Sequence, residues 1–139
     1  MSVHAARSSL SVFGKTDSDT AAFVTRALGI EPDESREAGE SMRGGRIAKQ
    51  SGWFIEGGRS DATEEDPHGF ASLDRVLERV GGRSEAWANL RDRYEIRVFI
   101  SGDSDGGQNS LALTNEQLRA IADIGAYLWI DVYVDEEDD

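Results

Sequence analysis

Apolar and polar residues alternate along Tyr94–Ser101, which puts Ile96, Val98 and Ile100 on one face of a strand and Glu95, Arg97 and Phe99 on the other. Tyr127–Val134 alternates in the same way, with Leu128, Ile130, Val132 and Val134 set against Tyr127, Trp129, Asp131 and Tyr133. Between them Thr114 and Gln117 have the spacing of a capping box, and Leu113 and Leu118 that of a hydrophobic staple. Gly125 stands where a left-handed stop is needed. The last third of the chain thus predicts strand, polar loop, helix, strand.

Similar patterns mark the upstream part of the chain. Residues 1–6 carry no pattern and are expected to fray. Arg7–Phe13 predicts a strand with Leu10 and Val12 inward and Phe13 on the other side. Asp17 or Ser18 caps a helix running to Leu28, with Phe23, Val24 and Ala27 as its buried stripe and Gly29 as its end. A polar connection follows to about Gly45, and Arg46–Ile55 is the second strand region, bent at Gly52. The acid- and glycine-rich stretch 57–69 predicts a surface loop. Phe70, Leu73, Val76, Leu77 and Val80 fall at helical spacing, Gly81-Gly82 breaks that helix, and Ser84 caps a shorter one carrying Trp87 and Leu90.

Strand, helix, strand, helix pair, strand, helix, strand is the order of one α+β domain over residues 1–134. It predicts a four-stranded, mostly antiparallel sheet with helices packed on one face, ferredoxin-like and built from split βαβ repeats. Asp135–Asp139 reads as a solvated acidic tail.

Charge narrows the function classes. The 139 residues hold 27 acids against 15 Lys and Arg, a formal net charge of -12, and such a field opposes nucleic-acid phosphates. No apolar run approaches the roughly 20 residues of a membrane span. The N-terminus lacks the apolar core of a signal peptide, and with no cysteine in the chain the expected location is cytoplasmic. Ser41–Ile55 runs against the overall charge, with Arg43, Arg46 and Lys49 and no acid.

Two candidate surfaces follow. The sheet face away from the helices would carry Phe13, Arg97, Phe99, Trp129, Asp131 and Tyr133, more aromatic surface than a solvated face needs. It reads as a binding platform, as a second small core under the loops 31–45 and 57–69, or as a homodimer interface through this face or the edge of the last strand. The other candidate is an anion site from Arg36, Arg43, Arg46 and Lys49 with Trp53, where arginine forks and the Gly44-Gly45 amides would hold a phosphate or carboxylate. The competing role for these cations is to neutralise Glu34, Glu37 and Glu40.

Catalytic and metal signals are weak. Asp103 and Asp105 have the spacing that opens a calcium loop, but Gly107 stands where the next ligand belongs and Thr114 where the closing glutamate belongs, so a polar turn is expected. His4 and His68 have no partner spacing for metal. No nucleophile elbow or phosphate loop occurs, and neither a catalytic set nor a cofactor is predicted.

Several segments in order carry a resemblance. They are Thr25-Arg-Ala-Leu-Gly-Ile-Glu-Pro32, Arg36-Glu-Ala-Gly-Glu40, Gly44-Gly-Arg46 with Ser51-Gly-Trp53, the helix from Leu73, Tyr94-Glu-Ile-Arg97, Gly106-Gly107, Leu118 and Trp129-Ile-Asp-Val-Tyr133. From about Ser8 to Tyr133 the chain resembles the bacterial family called domain of unknown function 4279, with the 57–69 loop and the acidic tail as local additions. The resemblance implies a small bacterial cytosolic domain and brings no catalytic residues. The leading expectation is a non-catalytic protein-binding module, of a toxin-neutralising or immunity type, with a basic protein partner. The alternative is a sensor or enzyme for a small anion at the Arg43, Arg46, Lys49 and Trp53 strip.

Overall fold

Leu10, Val12, Trp53, Ile55, Ile96, Val98 and Ile100 all lie buried on one side of a single sheet, against Val24, Leu28, Leu73, Val76, Val80, Trp87, Leu90, Ile121 and Ile124 from four helices. The computed structural model describes residues 3–106 and 110–134. Its elements are β1 (Val3–Gly14), α1 (Ala21–Leu28), β2 (Glu34–Arg36), β3 (Gly52–Asp61), α2 (Ala71–Val80), α3 (Ser84–Leu90), β4 (Tyr94–Ser104), α4 (Asn115–Ile124) and β5 (Tyr127–Val134). At about 1.5–3 kcal/mol for each fully buried large side chain, this one core dominates the fold's stability. No helix among the described residues is long and apolar enough to cross a membrane.

The chain is α+β, but the expected four-stranded, mostly antiparallel ferredoxin-like sheet does not form. Among the described residues the sheet has five strands in the order β2-β3-β1-β4-β5 and is mixed. β1 runs antiparallel to both β3 and β4, β2 is antiparallel to β3, and β5 is parallel to β4. Two local causes account for the difference. Glu34–Arg36 pairs with Gly52–Phe54 and adds an edge strand where a loop was expected. The crossover through α4 returns the chain to the starting end of β4, so β5 runs alongside it in the same direction.

Strand boundaries shift for physical reasons. Val3, Ala5 and Ala6 are buried in β1, so residues 3–6 do not fray. β3 begins only at Gly52 and continues through Gly57 to Asp61, into the stretch expected to be loop. A bulge makes this possible: pairing jumps from Ser8↔Gly58 to Ser9↔Glu56 and leaves Gly57 over. Gly57 has no room for a side chain, because it lies against the Ser72 carbonyl and Val76 of α2.

The helices follow their caps. Thr20, rather than Asp17 or Ser18, caps α1 by accepting from the Phe23 N–H, and Gly29 ends it in the left-handed region at φ 69. Ala27 is exposed, while Ala21 and Leu28 complete the buried stripe with Val24. Thr114 and Gln117 make both bonds of the capping box on α4. Ser84 opens α3 without capping it and donates to Asp123 Oδ2 on α4 instead, at 2.6 Å. Asp103, expected in a polar turn, is instead a strand residue of β4, paired with Ala5 and Tyr133, while the acidic tail and Gly107–Asn109 lie outside the described residues.

Candidate functional site

One residue from each strand builds a chain of rings and guanidinium groups across the open face. Arg36 of β2 lies over the Phe54 ring of β3 at 5.2 Å. Phe54 meets Phe13 of β1 edge to face, 5.7 Å between ring centres and 75° between planes. Arg97 of β4 lies 5.0 Å from the Phe13 ring and 5.5 Å from the ring of Trp129 on β5. Register explains the path. Arg36 is opposite Gly52, Phe54 and Arg97 are opposite Ser11, and Tyr127 is opposite Arg97, so every contact is a diagonal two residues off its directly paired neighbour. The small residues Gly52 and Ser11 leave space for those diagonals.

Arg97 is fixed from its own strand as well. Its Nη2 and Nε donate to Glu95 Oε2 at 2.6 and 3.0 Å. A guanidinium bonded to a carboxylate and flanked by two rings is a restrained cation. At the far end of the face, Arg59 pairs with Asp103 and Asp61. On the β2 side Asp33 accepts the Glu56 N–H at 2.7 Å and an Arg79 bond at 2.6 Å, which hold its carboxyl below the ordinary range against its own desolvation. Desolvation and the nearby Asp33 charge push Glu56 up.

The open face therefore holds together Phe13, Arg97, Phe99, Trp129, Asp131 and Tyr133, with Phe99 opposite Trp129, Asp131 opposite Ser101 and Tyr133 opposite Asp103. It changes character across the sheet. Phe13 and Phe99 are half-buried, whereas Tyr127, Trp129 and Tyr133 on β5 are 65%, 50% and 57% exposed. Neither long loop lies over them: Glu37 turns to the helix side to accept the Ala21 and Ala22 N–H groups of α1, and Asp66 accepts those of Phe70 and Ala71 at α2. Phe54 and Arg36 belong to the same face although the sequence did not place them there, and Tyr127 lies on it beside Trp129 as its alternation indicates. Alternation around Trp53 and Ile55 carried the signal for Phe54, and the pairing of β2 is what brings in Arg36.

The basic strip does not converge. Trp53 is fully buried in the core and its indole N–H donates to Thr25 Oγ1 at 3.0 Å. Arg36 is committed to Phe54. Arg43 and Arg46 stand exposed on a turn at Arg43–Gly45, and Lys49 lines a separate hollow of about 330 Å3 with Asp17, Ala38, Gly39 and Ala48. A depression of about 490 Å3 lies on the helix side between Phe23, Ala27, Arg83 and Asn89, away from both candidate surfaces. Among the described residues no group of three or more His, Asp or Glu is placed to hold a metal ion. His68 bonds the Val3 carbonyl through Nδ1 at 3.1 Å and tilts against Phe70.

No curated protein and no solved structure matches the chain. A family model described as domain of unknown function, DUF4279, matches residues 4–135, nearly the whole length. The chain belongs to the DUF4279 family.

Proposed function

We propose that this domain is a non-catalytic protein-binding module of the bacterial cytoplasm that docks its partner on the open sheet face. The observation that carries this reading is the file of exposed aromatics, Tyr127, Trp129 and Tyr133, beside the clamped Arg97 cation. Aromatic and arginine side chains held rigid lose little entropy on docking and are the residue types that dominate interface energetics. The net charge of -12 favours a basic partner and fast, salt-sensitive association, as in a toxin-neutralising or immunity-type protein. No specific observation favours the anionic-ligand reading, because its residues are dispersed.

The test is capture from lysate of the source organism with wild type beside a Trp129→Ala/Tyr133→Ala variant, both substituted positions being exposed. A protein retained by wild type and lost from the variant, with an association rate that falls as salt rises, supports the reading. Identical sets on both baits sink it.

A further inference from the structure

The two edges of the sheet are built differently. β2 is three residues long and carries Glu34 and Arg36, which are devices that blunt an edge. β5 is eight residues long with Asp131 as its one charge and neither Lys nor Pro, it pairs with β4 from Arg97↔Tyr127 to Ser104↔Val134 without a register shift, and among the described residues no strand lies beyond it. Exposed apolar surface gathers at this edge. Of the six exposed large hydrophobic residues among those described, Tyr127, Trp129, Tyr133 and Val134 are on β5 and Leu118 is on α4, with Ile47 elsewhere.

The sequence of β5 is also self-complementary about Ile130. Antiparallel pairing centred there sets Tyr127 opposite Tyr133 of a second copy, Leu128 opposite Val132, Trp129 opposite Asp131, and Ile130 opposite itself. Directly opposed residues share a face, so tyrosine pairs and Trp129–Asp131 pairs meet on the open side and aliphatic pairs on the helix side. Centring on Asp131 would set two carboxylates against each other, and centring on Trp129 would set Tyr133 opposite Gly125. We infer that two copies of this chain join edge to edge through β5, antiparallel about Ile130, into one continuous sheet with a two-fold axis. The pairing goes beyond the partner reading above and does not depend on it; it would set two open faces side by side. Each copy carries -12, so salt that screens this repulsion strengthens the pairing, the opposite of its effect on a basic partner.

Sedimentation of the purified full chain over a concentration series tests this. Wild type is expected to shift from monomer to dimer, at lower concentration when salt is raised. Tyr127→Lys/Tyr133→Lys sets lysine opposite lysine at both ends and is expected to stay monomeric. Tyr127→Glu/Tyr133→Lys sets glutamate opposite lysine and is expected to dimerise again; the two positions lie roughly 20 Å apart along one strand, too far to pair within a copy. Hydrogen exchange needs no variant: β5 amides are expected to slow as wild-type concentration rises. A wild type that stays monomeric, β5 amides indifferent to concentration, a lysine pair that dimerises like wild type, or a folded glutamate–lysine variant that does not recover would each overturn the inference.

Discussion

Gly52 leaves empty the space that the Phe54 ring occupies. A Cβ on Gly52 would stand 2.6 Å from Phe54 Cζ and 3.3 Å from Arg36 Nε, so the diagonal from β2 to β1 exists because this strand position has no side chain. Gly52→Ala must turn the ring away from Phe13 and Arg36, and is expected to lower stability by about 1–3 kcal/mol in urea melts. Adding Phe54→Ala should remove most of the extra cost of the alanine at 52, and strict additivity of the two would contradict the contact.

Asp19 and Arg93 make stability depend on acid. The Asp19 carboxylate is buried; desolvation raises its pKa, but bonds from Arg93 Nε at 2.8 Å and from the Thr16 N–H and hydroxyl at 2.9 Å outweigh that and leave it below its ordinary value. With a folded pKa below the unfolded one, the unfolded chain binds more protons in acid. The stabilisation is therefore complete above the usual carboxylate pKa of about 4 and is lost as pH falls through the folded value. Asp19→Asn is expected to lower stability at neutral pH by about 1–3 kcal/mol and to flatten the acid limb of the stability curve. An unchanged limb would assign the acid sensitivity to other carboxylates.

Glu37 ties the segment after β2 to the start of α1. Its two oxygens accept the Ala21 and Ala22 N–H groups at 2.6 and 3.1 Å, supplementing the Thr20 cap. Glu37→Ala is expected to lower stability by about 0.5–2 kcal/mol, and Glu37→Gln by less, since the amide still offers one acceptor but loses the charge facing the helix dipole. Thermal melts of the two variants check the order.

Trp129 is the one exposed tryptophan, with Trp53 and Trp87 fully buried. Acrylamide quenching of fluorescence is therefore expected to act on one class of indole and to disappear with Trp129→Phe. Retained quenching in that variant would show the core tryptophans to be reachable.

How much of this was legible in the sequence depended on the range of the interaction. The elements β4, α4 and β5 were legible, because alternation, capping box and Gly125 are all local and agree with one another, but the extension of β4 to Ser104 and the parallel pairing of β5 beside it were not. Leu10 and Val12 were placed inward for the same reason, and Leu73 was put at helical spacing. β2 was not legible: three polar residues, Glu34-Ser-Arg36, become a strand only because Gly52–Phe54 offers them an edge. The bulge at Gly57 was not legible because a glycine-rich, acidic run reads as loop until α2 packs over it. The open face was half legible. Alternation gave Arg97, Phe99, Trp129 and Tyr133 their common side, but the diagonal that links Arg36, Phe54, Phe13, Arg97 and Trp129 depends on strand order, which no single strand encodes.

The most direct measurement is site-specific photocrosslinking in the source cell, with the reactive side chain at position 129 of β5 and, as the control, at position 46 of the basic turn. A protein-binding face gives an adduct with a different protein from position 129 and none from position 46. An adduct from position 46 alone, or only adducts between two copies of this chain at position 129, would contradict it.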